Sequence, residues 1–282
     1  MLGGNIAAEF SRKFEISGVY RNHPNTRLLK QYRLDLADPA GVIRLSRQLQ
    51  PDAIIHCAAF TDVEACEENY ELAHNCNALT ARNLLSAFGR QIKFIYISTD
   101  SVFDGRKGDY SEMDTPSPLN NYAKTKLEGE MFVEEMSDNY AIIRANIIGW
   151  NHVKGESFAE WVLRSLSEKN PIRMFSDVIF SPVSANTLAV FIDKLLEMDF
   201  TGKLNIASED FASKYEFGVR LSRAFGLDSS LIAPASVDEF RFKAKRSKNT
   251  SLNTSKAKAR FGRVPTLEEE INLFYDKKVR CF

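Results

Sequence analysis

Tyr122 and Lys126 stand four residues apart in the run Tyr122-Ala123-Lys124-Thr125-Lys126. On a helix that spacing turns both side chains to one face. An ammonium close to a phenol favours the phenolate, so a tyrosine with an ordinary pKa of about 10 becomes a usable acid near neutrality. The pair is a candidate proton device. The chain has nine tyrosines in 282 residues, so the spacing also arises by accident and its neighbourhood has to decide the case. Upstream, the apolar run Phe94-Ile95-Tyr96-Ile97 reads as a buried strand that ends in Ser98-Thr99-Asp100. A hydroxyl at the carboxyl end of a strand sits where open α/β sheets bind ligands. Thr99 is then placed to hydrogen-bond a carbonyl oxygen that Tyr122 protonates, while hydride arrives from a nicotinamide on the other side.

The elements that must position these residues alternate along the chain. Strands are expected at Glu15 to Tyr20, Arg33 to Leu36, Asp52 to Cys57, Lys93 to Ile97 and Tyr140 to Arg144. Between them lie a helix opened by the Asp38 cap and Pro39, a helix over Glu71 to Phe88, and the Tyr122 helix. Such alternation predicts a parallel sheet with helices on both faces. After Gly149 the order is less regular, with helices expected near Phe158 to Glu168, Ala185 to Leu196, Tyr215 to Phe225 and Thr266 to Phe274. We therefore expect a dinucleotide-binding domain over residues 1–150 and a smaller, mainly substrate-binding domain over 151–282, with 203–207 returning as a strand to the main sheet. The basic, polar segment Phe240 to Lys258 reads equally as a solvated loop or as a flap over a diphosphate.

Composition narrows the function classes. Thirty-seven basic residues balance thirty-seven acidic ones, so no global field draws nucleic acid or an anionic membrane. At 44% apolar the chain can bury one large core, or a large and a small one. Cys57, Cys66, Cys76 and Cys281 show no CxxC spacing and four scattered histidines offer no metal site. No apolar run approaches the ~20 residues that span a bilayer, and the N-terminus lacks the basic start and long apolar stretch of a signal peptide. A cytoplasmic protein with reduced thiols is expected.

Several segments together resemble the extended short-chain dehydrogenase/reductase family, and within it the dTDP-4-dehydrorhamnose reductases, a sugar nucleotide-binding branch. They are Pro51 to Thr61, Ser98 to Gly105, Pro118 to Glu130 and, more loosely, Lys245 to Lys256. The resemblance covers nearly the whole chain and is specific in its first half. It implies a Rossmann-like doubly wound parallel sheet, an NADP cofactor with NAD as the alternative, a nucleotide-sugar substrate, and a catalytic set of Thr99, Tyr122 and Lys126. It also admits a homodimer.

That family opens with a buried strand and three spaced glycines, which permit a tight turn and close approach of backbone amides to a pyrophosphate. Here the chain opens at Met1-Leu2-Gly3. Gly3 fits the last of those glycines and Asn5 to Phe14 the following helix, so the sheet reads as lacking its first strand. The strand would lie between Glu15 to Tyr20 and Asp52 to Cys57. Unpaired ladders on both sides would cost about 1–3 kcal/mol per buried group, which favours a misplaced start or a shortened chain over a natural protein that has lost cofactor binding.

Arg21 stands where an NAD-preferring fold often carries an acid, and suits a 2′-phosphate. The small residues of Ala58-Ala59-Phe60-Thr61 would let the backbone run beside the cofactor. By resemblance, Gly3, His23, Asp35, Leu36, Asn77 and Ser98 join them at the cofactor, together with Tyr122 and Lys126. Asp35 answers to an adenine-contacting acid and Asn77 to an asparagine that steadies the active-site backbone. The resemblance also assigns Asp100, Val102, Phe103, Asn146, Ile147 and Arg246 to the substrate. Ile147 occupies the place of a family tryptophan, which leaves the particular sugar open.

Two other readings compete with a 4-keto nucleotide-sugar reductase. One is a non-catalytic NADP-binding regulatory subunit resembling methionine adenosyltransferase beta, which can retain the same three residues. The other is a nucleotide-sugar epimerase or dehydratase. It fits less well, because dehydratases of the family follow the threonine with Asp-Glu and here Asp100 precedes Ser101.

Overall fold

The computed structural model describes residues 1–22, 24, 30–151 and 155–281, the last four of these as backbone alone. Helix α1 (Leu2–Phe10) buries Leu2, Ile6 and Phe10 at i, i+4 and i+8, one apolar stripe turned to the core. Strand β1 (Ser17–Tyr20) pairs in parallel with β2 (Lys30–Arg33). Helix α2 (Pro39–Gln48) starts as its sequence dictates, with the Asp38 carboxylate accepting from Ala40 N–H and Pro39 in the first turn. There follow β3 (Ala53–His56), α3 (Val63–Glu68), α4 (Tyr70–His74), a π-helical turn (Asn75–Leu79), α5 (Thr80–Phe88), β4 (Lys93–Thr99), α6 (Asn121–Met136) and β5 (Tyr140–Ile148).

The second half contributes α7 (Phe158–Ser167), β6 (Ile172–Phe175), β7 (Ile179–Phe180), β8 (Pro182–Ser184), α8 (Ala185–Glu197), β9 (Gly202–Asn205), β10 (Ala212–Ser213), α9 (Lys214–Ala224), β11 (Ile232–Ala235), α10 (Ser255–Phe261) and α11 (Leu267–Cys281). The main sheet is parallel in the order β3-β4-β5. The long β5 pairs first with β9 along Ala141 to Arg144 and then with β8 along Asn146 to Ile148. Every residue of β4 is buried, as a strand covered by helices on both faces requires. A second apolar core, built on Val162, Leu166, Phe180, Phe217 and Ile271, lies under α7, α9 and α11.

Three local expectations shift. The ladder of β2 ends at Arg33, three residues before the expected Leu36, because Asp35 turns the chain by accepting from Ala37 N–H. The expected helix over Glu71 to Phe88 is interrupted by the π turn at Asn75–Leu79. Finally, β1 pairs with β2 and β3 with β4, but β1 and β3 belong to separate sheets; among the described residues no strand lies between them.

Before α10 begins at Ser255, the segment after Phe240 is not a free loop. It threads as a strap between the 105–110 loop and β7. Asn249 N–H donates to Gly105 O (3.0 Å), Thr250 N–H to Ile179 O (3.0 Å) and Asn253 N–H to Tyr110 O (2.8 Å). Gly105, at φ +77°, permits this approach, since a Cβ there would stand 2.6 Å from Lys248 N.

Candidate active site

Strand β4 and helix α6 bring the three catalytic candidates together. Thr99 is the last residue of β4, and its Oγ1 accepts from Ser101 N–H (3.2 Å) and donates to Asp100 Oδ1 (3.1 Å). Helix α6 is capped by Asn120, whose side chain accepts from Ala123 N–H (2.9 Å) and donates to Lys245 O of the strap (2.9 Å). The helix carries Tyr122 half-buried and Lys126 buried. Burial pushes the Tyr122 phenol up to about 12, against a hydrogen bond with the Thr99 side chain that pulls it down.

Lys126 Nζ donates to Ile97 O (2.7 Å) and lies 4.1 Å from the centre of the Tyr96 ring. Burial lowers its pKa to about 7, with the Glu130 carboxylate acting in the opposite sense. The expected lowering of the Tyr122 pKa by this ammonium is therefore not seen in this structure, because Lys126 is turned to the strand carbonyl and its charge is weakened by desolvation. The phenol is a fully protonated acid here.

Beneath the pair lies a charge cluster that the sequence reading missed. Glu130, at i+8 from Tyr122, accepts from Arg144 Nε (3.0 Å) and Nη2 (2.6 Å) and from Ser98 Oγ (2.5 Å), with both charged side chains fully buried. The signal was available as Tyr122, Lys126, Glu130 at four-residue intervals. The partner on β5 was not.

Residues expected at the cofactor are partly gathered at the carboxyl ends of β1 to β3. Arg21 Nη1 lies 3.9 Å from Asp35 Oδ2, both half-exposed. Ala58, Ala59 and Thr61 are exposed after β3, and Gly3 sits in the first turn of α1. His23 lies outside the described residues. Leu36 is half-buried against the core, with its carbonyl accepting from Asn83 Nδ2 (3.0 Å). Asn77 is buried with its amide committed to the protein. Its Oδ1 accepts from Phe60 N–H (2.7 Å), and its Nδ2 donates to Phe60 O (3.1 Å) and Thr125 Oγ1 (3.1 Å). It fixes the backbone of the exposed strip at Phe60. Its own carbonyl, within the π turn, accepts from Tyr96 OH (2.7 Å). The Ser98 hydroxyl points to Glu130, on the opposite face of β4 from the Thr99 side chain, because neighbouring strand residues face opposite ways.

The residues expected at the substrate are placed as follows. Asp100 is buried and its carboxylate is filled by Thr99, Ser101, Asn146 Nδ2 (2.9 Å) and Thr250 Oγ1 (2.6 Å), which makes it a hub between β4, β5 and the strap. Val102 and Phe103 have fully buried side chains in a small core with Leu252. Phe103 stacks on Tyr110 with centroids 4.2 Å apart. Asn146 and Ile147 remain half-buried beyond the buried part of β5. Arg246 Nη2 pairs with Glu64 Oε1 (2.7 Å) and its guanidinium lies 4.8 Å from the Phe242 ring.

This geometry has close counterparts. A dTDP-4-dehydrorhamnose reductase from Bacillus anthracis, solved in complex with NADP, superposes with a TM-score of 0.83 at 28% identity, covering 98% of this chain and 97% of that one. The probable low-salt glycan biosynthesis reductase Agl14 of Haloferax volcanii is 29% identical over 91% of this chain and 87% of its own length. Methionine adenosyltransferase 2 subunit beta of Danio rerio is 30% identical over 91% of this chain and 80% of its own length. The family profile described as RmlD substrate binding domain matches residues 1–279. From Met1 almost to its last residue, the chain therefore belongs to the RmlD substrate-binding-domain family.

Proposed function

We propose that the protein reduces a 4-keto nucleotide-sugar with NADPH. The observation that carries this reading is the convergence of Thr99, Tyr122 and Lys126 at the carboxyl end of β4, where the Thr99 side chain acts on the Tyr122 phenol and Lys126 Nζ is held on Ile97 O. Arg21 and the exposed Ala58-Ala59 backbone fit a dinucleotide phosphate, since an exposed guanidinium and a backbone with only methyl side chains are what such a ligand needs. NADPH, when bound, supplies the hydride.

The protein's own residues hold and move the proton. Thr99 orients the substrate carbonyl oxygen by turning its one O–H from Asp100 Oδ1 to donate to it. Tyr122, protonated at any ordinary pH, gives up its proton as negative charge develops on that oxygen. Lys126, charged below its depressed pKa, turns from Ile97 O to stabilise the phenolate left behind. When NADPH is bound, the same ammonium would help hold its nicotinamide ribose. A reducing, cytoplasmic setting fits the free thiols Cys57, Cys66 and Cys76.

Tyr122→Phe tests the reading, because it keeps the ring and removes the transferable proton. Reduction of dTDP-, UDP- and GDP-4-keto-sugars should fall about 10²–10⁴-fold, with NADPH affinity within about twofold of the parent. Full activity in the variant would remove Tyr122 as the acid. NADPH binding by the parent without turnover of any keto-sugar would favour a binding subunit like the methionine adenosyltransferase beta chains.

A further inference from the structure

Lys214 is the first residue of α9, directly after the capping box formed by Ser213 and Glu216. Its backbone N–H donates to Val178 O (2.9 Å), which fixes its root where β10 pairs with β7. From there the side chain lays its ammonium 3.3 Å from the centre of the Phe180 ring and 4.6 Å from that of Phe158. Two aromatic faces hold a cation without giving its N–H donors a lone pair. Among the described residues no carboxylate lies within ion-pair distance of Nζ and no oxygen accepts from it. Lys126 differs, since its donor is used on Ile97 O.

The place of this ammonium gives it meaning. The carboxylate that acts on it is Asp100, next in sequence to Thr99. Asp100 cannot serve as its partner, because its oxygens already accept from Thr99, Ser101, Asn146 and Thr250. Burial meanwhile brings the Lys214 pKa down to about 8, as expected of a cation that has lost water without gaining an anion. The residue as a whole is half-buried, with its ammonium turned inward to the rings.

We propose that Lys214 binds an anionic oxygen group of the nucleotide-sugar, supplied by the diphosphate or by a carboxylate on the sugar itself. This rests on the reading of the protein as a nucleotide-sugar reductase. Phe180 and Phe158 act as the platform that keeps the ammonium in place, and the anion completes its hydrogen bonds. Lys214 thus sets specificity and takes no part in proton transfer.

Calorimetry on the full chain tests this with free UDP and dTDP and with the UDP and dTDP forms of glucose and glucuronate. Lys214→Met keeps the aliphatic stem over the rings and removes the charge, whereas Lys214→Arg keeps the charge. The Met variant should bind at least about tenfold more weakly and the Arg variant within about threefold of the parent. Equal losses for nucleoside diphosphates and both sugars identify the diphosphate. A loss confined to the glucuronates identifies the carboxylate. Parent-like binding of every probe by the Met variant would overturn the inference and leave the reductase reading standing, while a parent that binds NADPH but neither the six probes nor GDP and its glucose and glucuronate forms would overturn both.

Discussion

Glu130 on α6 and Arg144 on β5 form a two-pronged ion pair, 3.0 and 2.6 Å long, with neither side chain reaching solvent. Ser98 closes the cluster from β4, so one carboxylate ties together the helix that carries Tyr122 and the strand that ends in Thr99. Removing one partner of such a pair strands a buried charge. Arg144→Met should therefore destabilise the fold by about 3–5 kcal/mol in urea denaturation. Glu130→Met combined with Arg144→Met should recover most of that loss, since no unpaired charge remains. A single variant that unfolds at the parent's urea midpoint would show that the cluster is not dry.

Lys126 links stability and binding to pH in opposite directions. Its pKa is lowered to about 7, burial being the main cause, whereas an unfolded lysine keeps its proton to about pH 10.4. Between those values the unfolded chain holds the extra proton, so stability should rise as pH goes from about 7 to about 10. Lys126→Met should flatten that rise. NADPH affinity should instead fall above about pH 7 as the ammonium is lost, and Lys126→Arg should remove the fall. Urea titrations and NADPH titrations at pH 6.5, 8 and 9.5 check both slopes.

Arg21 lies 3.9 Å from Asp35 at the ends of β1 and β2. Arg21→Asp exchanges a 2′-phosphate partner for an acceptor of ribose hydroxyls. The ratio of NADPH to NADH dissociation constants should move towards NADH by about tenfold or more. An unchanged ratio would place the 2′-phosphate away from this residue.

Gly129 lies under the Tyr96 hydroxyl. A Cβ at this position would stand 2.0 Å from Tyr96 Oη and 2.7 Å from Asn77 O. Gly129→Ala should cost about 1–3 kcal/mol through overpacking. Adding Tyr96→Phe removes the hydroxyl that the methyl meets, so the double variant should regain part of the loss. Thermal melting of the two single variants and the double resolves this, and a simple sum of their costs would mean that the contact is not shared.

The sequence alone carried the local part of the site. Four-residue spacing on a helix placed Tyr122 and Lys126 on one face, Asp38 and Pro39 marked the start of α2, and the unbroken apolar run of β4 marked a buried strand ending at Thr99. Each follows from backbone geometry within a few residues. The alternation of strands and helices likewise carried the parallel α/β architecture, because parallel strands need crossover helices between them.

Only the tertiary structure decided what these side chains face. The resemblance assigns Asp100, Val102, Phe103 and Ser98 to ligands, and the fold packs their side chains against Thr250, Leu252, Tyr110 and Glu130 respectively. Lys126 meets the Ile97 carbonyl rather than the Tyr122 phenol, and Lys214 comes under the influence of Asp100 from more than a hundred residues away. Desolvation and the identity of a hydrogen-bond partner are properties of the packed interior. They depend on which distant segments the core brings into contact, and no spacing within one helix or strand encodes that.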